Sequence, residues 1–223
     1  MKLINSELDL QIIFLENKVN ILIIEEPTLL SKTVFSLWQK WNGGDSDFLL
    51  IDGERQISFS KEVELIMDPF SLELNNKKII QQLHNEWKQE ANEMTEEMVM
   101  INSTIVDVLN KIQMQSFCSG IRYNLDLEWE DLFKLYQVKF EADYDDVFDK
   151  LLAYIKIITS LMGVRLICFV NIKSYLSEKQ IRQLYQMVFY CKAHLLLIEN
   201  YEKDKFEDEK IFIIDKDRCL IIK

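Results

Sequence analysis

The sequence predicts an α/β protein: a parallel-sheet domain assembled from both ends of the chain and interrupted by an α-helical insertion. Three observations predict it. A continuous, β-branched apolar run at residues 19–25 (VNILIIE) leads into a helical pattern. A strand, helix, strand series recurs late, at 165–170 (RLICFV), 177 to about 191, and 195–199 (LLLIE). Between them, residues 75 to about 162 hold no proline, one glycine and repeated helical periodicity.

Each element has its own signal. An unbroken apolar run such as 19–25 suits a strand covered on both faces. Thr28, beside Pro27, is the expected N-cap of the next helix. Leu29, Leu30, Val34, Leu37, Trp38 and Trp41 then recur at helical spacing until Gly43 and Gly44 end the pattern. Ser177, with Gln180 three residues on, reads as a capping box for the late helix. Shorter apolar runs at 10–15, 48–52, 63–67, 211–215 and 219–222 read as hairpin or edge strands. In the insertion, Ile79, Ile80, Leu83 and Trp87 mark one helix and Met98, Ile101, Ile105, Val108, Leu109 and Ile112 a second. Val147, Leu151, Leu152, Ile155, Ile158 and Met162 mark another. The expected division is a discontinuous sheet domain at 1–67 and 163–223 and a helical insertion at 68–162.

At 223 residues with 48% apolar side chains, the chain can bury a substantial core. Its formal charge of -11 argues, as bulk charge, against a nucleic-acid partner. The acidity is local: residues 68–150 carry 17 acidic and 8 basic side chains, a net of -9. The N-terminal stretch is broken by Glu7 and Asp9 and lacks the pattern of a signal peptide. No apolar run approaches the roughly 18–20 residues of a membrane helix, so a soluble, cytoplasmic protein is expected. Cys118, Cys168, Cys191 and Cys219 are scattered without a metal-site spacing, and His84 and His194 are the two histidines, so imidazole and thiolate chemistry is poorly served.

The stretch after the first strand holds the register of a phosphate-binding loop, G-x-x-x-x-G-K-[ST] (Walker A), but reads Glu26, Pro27, Thr28, Leu29, Leu30, Ser31, Lys32, Thr33. Glu26 replaces the first glycine and would repel phosphate, Pro27 removes a backbone donor, and Ser31 replaces the second glycine. The late strand is followed by Asn171, where a magnesium-binding acid would be needed. Ser31, Lys32 and Thr33 are therefore either ordinary first-turn residues or the remnant of a nucleotide fold, and neither supports hydrolysis. Asp126, Glu128, Glu130 and Asp131 place four carboxylates within six residues. They read as a solvated helix start that complements the helix dipole, or as oxygen ligands for calcium outside the EF-hand pattern. The few basic residues of the insertion read alone as solvated helix surface, and Trp87 and Trp129 as packing residues.

These features together resemble the type II-A CRISPR adaptation proteins of the Csn-two family. The resemblance is carried by VNILIIEEPTLLSK, by IMDPFSLELNNKKIIQQLHNEW entering the insertion, by NLDLEWEDLFKLYQVKFEADYDDVFDKLL, and by RLICFVNIKSYLSEKQI followed by HLLLIEN. It implies a P-loop-NTPase-like α/β head without ATPase activity and an α-helical leg, assembled as a homotetrameric ring. The implied ring binds double-stranded DNA ends without sequence preference, holds calcium and acts in spacer acquisition for antiviral defence, beside CRISPR integrase and effector proteins. Asp126 and Glu128 match the family's Asp-Leu-Glu calcium segment, shorter here than is usual, with Glu130 and Asp131 as further candidate ligands. Lys77, Lys78, Lys88, Arg122, Lys134 and Lys139 are the candidate DNA-facing residues. An acidic scaffold for basic protein partners, with incidental DNA affinity, and a residual hydrolase using Lys32 and Thr33 are the alternatives.

Overall fold

The computed structural model describes residues 1–118, 120–124 and 126–223. In chain order the strands are β1 (Lys2–Asn5), β2 (Leu10–Ile13), β3 (Val19–Ile24), β4 (Phe48–Asp52), β5 (Arg55–Gln56), β6 (Val63–Ile66), β7 (Leu166–Val170), β8 (His194–Glu199), β9 (Glu209–Ile214) and β10 (Leu220–Ile222). The helices are α1 (Pro27–Trp41), the short α2 (Phe59–Glu62), α3 (Lys77–Ala91), α4 (Thr95–Gln115), α5 (Trp129–Leu135), α6 (Val147–Ser160) and α7 (Glu178–Tyr190).

The chain folds as two compact units, Met1–Leu74 with Ala142–Lys223, and Asn75–Glu141. The first holds a mixed sheet in the order β10-β9-β3-β8-β7-β6, parallel except for β10, and an antiparallel sheet in the order β2-β1-β4-β5. All six residues of β3 are buried because the strand is covered on both faces. Leu22 and Ile24 join Leu29 and Leu37 of α1 and Leu3, Ile12 and Phe48 of the antiparallel sheet in one core. On α6, Leu151, Ile155 and Ile158 are buried, and on α7 Ile181, Leu184 and Val188. These helices are tied to the mixed sheet by Tyr154 Oη donating to Glu64 of β6 (2.6 Å) and Tyr185 Oη donating to Glu209 of β9 (2.5 Å).

The parallel β7-α7-β8 unit and the Ser177–Gln180 capping box form as the sequence predicts. Four elements differ. The 211–215 run is an inner parallel strand beside β3 instead of an edge, consistent with the burial of Ile211, Phe212, Ile213 and Ile214 on both faces. β1 and β5, four and two residues long, carry too little pattern to be anticipated. And α6 belongs to the sheet unit, so the helical unit runs 75–141 where 68–162 was expected. The same 3.6-residue periodicity serves a helix that covers a sheet and one that leaves it.

In the helical unit, Leu83 and His84 of α3 and Leu132 and Phe133 of α5 are buried. His84 Nε2 lies 3.0 Å from the Val138 carbonyl, and the Asn75 side chain both donates to and accepts from the backbone of Phe140 (2.9 Å each). Along all 21 residues of α4, none is buried.

Candidate functional site

At the β3–α1 junction the helix is capped by Glu26, with Pro27 at its first position, where the sequence suggested Thr28. The Glu26 backbone is extended, and its two carboxylate oxygens accept from the Thr28 N–H (2.9 Å) and the Leu29 N–H (2.7 Å). Hydrogen bonds from Thr28, and then the Leu29 N–H, hold this carboxyl below its ordinary value. The amides that a phosphate-binding loop would offer to a nucleotide are thus taken by the protein's own anion. Ser31 is exposed, Lys32 is ion-paired with Glu7, and Thr33 is buried at 4% exposure.

Asn171 follows β7 in the left-handed region (φ 55°), and its Oδ1 is buried without a hydrogen-bond partner among the described residues. Of the acids at this end of the parallel strands, Glu199, the last residue of β8, is buried. It is 1% exposed, and its Oε1 accepts the Lys173 N–H (3.1 Å) while its Oε2 has no partner among the described residues. Burial raises the Glu199 carboxyl above its ordinary value. Glu199 is in register with Ile23, whose side chain alternates with Leu22 and Ile24, the residues that pack with α1. It therefore stands on the opposite face of the sheet from Lys32 and Thr33 and cannot complete a magnesium site with them.

The acidic segment is organised as a helix start. Glu128 caps α5, and Asp131 Oδ2 accepts the Glu128 N–H (3.1 Å). Glu128 Oε2 pairs with Lys88 (3.1 Å) and Glu130 with Lys134 (2.9 Å). The hydrogen bond and charge of Lys134 lower the Glu130 carboxyl. Asp126 is exposed, its backbone turned by Asn124; Leu125, within the same segment, lies outside the described residues. Calcium asks for six to eight converging oxygens. Among the described residues no three acidic, histidine or cysteine side chains gather to hold a metal, and Asp126, Glu128, Glu130 and Asp131 do not fit that set in this arrangement.

The six candidate DNA-facing residues all lie in the helical unit. Lys77 and Lys78 open α3 and are exposed, as are Arg122 and Lys139. Lys88 and Lys134 are engaged with Glu128 and Glu130, in exposed pairs of the kind that salt and competing anions readily displace. Trp87, Trp129 and His84 surround Phe133, with ring centroids 5.7, 6.3 and 5.6 Å away, so both tryptophans pack as expected, although Trp87 stays 46% exposed.

The sequence model of a family described as CRISPR-associated protein (Cas_Csn2) matches residues 40–218. The chain belongs to the Csn2 family. It is 24% identical over 221 residues to the CRISPR-associated protein Csn2 of Streptococcus agalactiae, covering 92% of this chain and 97% of that one. It is 20% identical over 200 residues to the Csn2 of Enterococcus faecalis, covering 82% and 89%. In this Csn2 chain, reasoning from sequence missed the Glu26 cap and the buried Glu199. The cap had a signal: an acid directly before a proline at a helix start is a capping pattern as much as a lost glycine. Glu199 had only its position at the end of an apolar run.

Proposed function

We propose that this chain is a non-enzymatic, sequence-independent binder of double-stranded DNA ends, acting as a homotetrameric ring in the acquisition of CRISPR spacers in the cytoplasm. In this reading the α/β unit is the head, a nucleotide-binding architecture whose chemistry is lost, and the helical unit is the leg. The observation that carries it is the Glu26 carboxylate seated on the first amides of α1. A protein of this family that blocks its own phosphate site acts by assembly and binding, not by nucleotide turnover.

Two further features support the reading. Helix α4 has no buried residue and displays Ile105, Val108 and Ile112 to solvent along one face, an apolar stripe that self-association would cover. The exposed Lys77, Lys78, Arg122 and Lys139, with Lys88 and Lys134 released from their pairs, supply phosphate contacts in a chain whose net charge is -11. A ring reconciles these facts by turning a minority of cations inward while acidic surface faces out. CRISPR integrase and effector proteins are the partners proposed. No part of the binding is routed through calcium, because among the described residues no three acidic, histidine or cysteine side chains gather to hold a metal.

The test is a mobility-shift assay with linear and covalently closed circular duplex of equal length at several salt concentrations. Linear duplex is expected to shift, with a log–log salt slope of about -0.9 per phosphate neutralised. Equal affinity for the closed circle overturns end binding, and no shift of linear duplex at physiological salt favours the protein scaffold.

A further inference from the structure

At the N-terminal ends of β7 and β8, at the other end of the parallel strands from Glu26, the α/β unit contains a cleft of about 480 Å³ lined by Glu16, Asn17, Arg165, Phe189, Lys192 and His194. The volume falls within the range of small-molecule sites and exceeds what a bare inorganic anion fills. Its position is fixed by the sheet. The His194 N–H donates to the Arg165 carbonyl (2.8 Å) across the paired strand ends, and the His194 ring lies 5.5 Å from that of Phe14. Arg165 is anchored by Asp52 (2.6 Å) and, more loosely, Glu62 (3.5 Å). Those two bonds commit two of its five N–H donors. Lys192, in the left-handed region at φ 54°, is exposed and makes no ion pair among the described residues. Phe189 adds an apolar wall. Burial, with positive neighbours that include Arg165, lowers the His194 imidazole below its ordinary value, so it stands neutral above the ordinary histidine range.

We propose that this cleft is a binding site for a small phosphate monoester with a flat aromatic body, of mononucleotide size. The phosphate meets Lys192 and the remaining donors of Arg165, His194 donates to it, and the aromatic body lies along Phe189. The site is independent of the β3–α1 junction and of the DNA-end reading, and stands or falls separately from both.

The chain's two histidines give a direct readout, because His84 lies in the helical unit and serves as an internal control. In an NMR titration of the imidazole C–H signals with adenosine 5′-monophosphate, the His194 signals are expected to move saturably and its titration midpoint to rise, while those of His84 stay. Inorganic phosphate is expected to act more weakly, and adenosine to lose the effect. Lys192→Asn, which keeps a residue tolerant of the left-handed backbone, is expected to weaken binding about tenfold. Glu16→Gln, removing a like charge, is expected to tighten it, a gain that misfolding cannot produce. No saturable movement of His194 at millimolar nucleotide, equal movement with adenosine, or unchanged affinity in both variants overturns the proposal.

Discussion

Replacing Lys173 with Met should destabilise the α/β unit severely, and the structure sets the size of the effect. The Lys173 side chain is 3% exposed, and its ammonium lies 2.6 Å from Glu209 Oε1, whose side chain is fully buried. It also sits 5.2 Å above the Phe206 ring, and Glu209 accepts in addition from Tyr185 Oη (2.5 Å) and the Phe206 N–H (3.0 Å). Burial, and then Glu209, push the Tyr185 hydroxyl far up, so it remains a donor throughout the working range. Lys173→Met leaves Glu209 with two hydrogen bonds and no countercharge in a site closed to water. Breaking a buried pair from one side costs about 3–5 kcal/mol. For a chain of this size each kcal/mol moves Tm by about 2–4 °C, so a fall of about 6–20 °C is expected by calorimetry, with a matching loss in urea melts followed by circular dichroism. The double variant Lys173→Met/Glu209→Gln removes the orphaned charge while keeping an acceptor for Tyr185, and should recover most of the loss. A single variant within about 1 kcal/mol of the parent, or a double variant as unstable as the single, would refute the reasoning.

Two other outcomes follow from buried and exposed groups. The Glu199 carboxyl is raised chiefly by burial, with Glu209 adding to the rise and the Lys173 amide, Lys203 and Lys173 opposing it. The folded state thus keeps a proton that the unfolded chain has lost, and stability falls as pH rises from the ordinary carboxylate range through the folded value. Glu199→Gln should flatten that part of the urea-midpoint-against-pH curve, and parallel curves for parent and variant would show that Glu199 ionises normally. On α4, Ile105 and Ile112 are 39% and 59% exposed, so changing both to Asp should leave monomer helicity intact while shifting sedimentation to smaller species. An unchanged sedimentation profile would mean that α4 does not cover itself with a second copy.

The sequence by itself determined most of the α/β framework. The continuous run of β3, the β7-α7-β8 periodicities and the Ser177–Gln180 box are local signals, each read from residues within a few positions of one another. It determined as well that Glu26 and Ser31 stand where a phosphate loop would need glycine, because glycine's absence is a property of the chain and not of its packing. Only the tertiary structure decided where Glu26 sends its carboxylate, on which face of the sheet Glu199 is buried, and that α6 covers the sheet instead of joining the helical unit. It also decided that Glu128 and Glu130 meet Lys88 and Lys134, where the sequence left a solvated helix start and calcium ligands both open. Two of these are local contacts whose geometry the chain leaves open: Glu26 reaches amides two and three residues on, and Glu130 meets Lys134 one turn away. For the others, periodicity fixes which side of an element is apolar, but the partner that covers it, and the charge that meets a carboxylate, come from residues distant along the chain, as Lys88 is from Glu128.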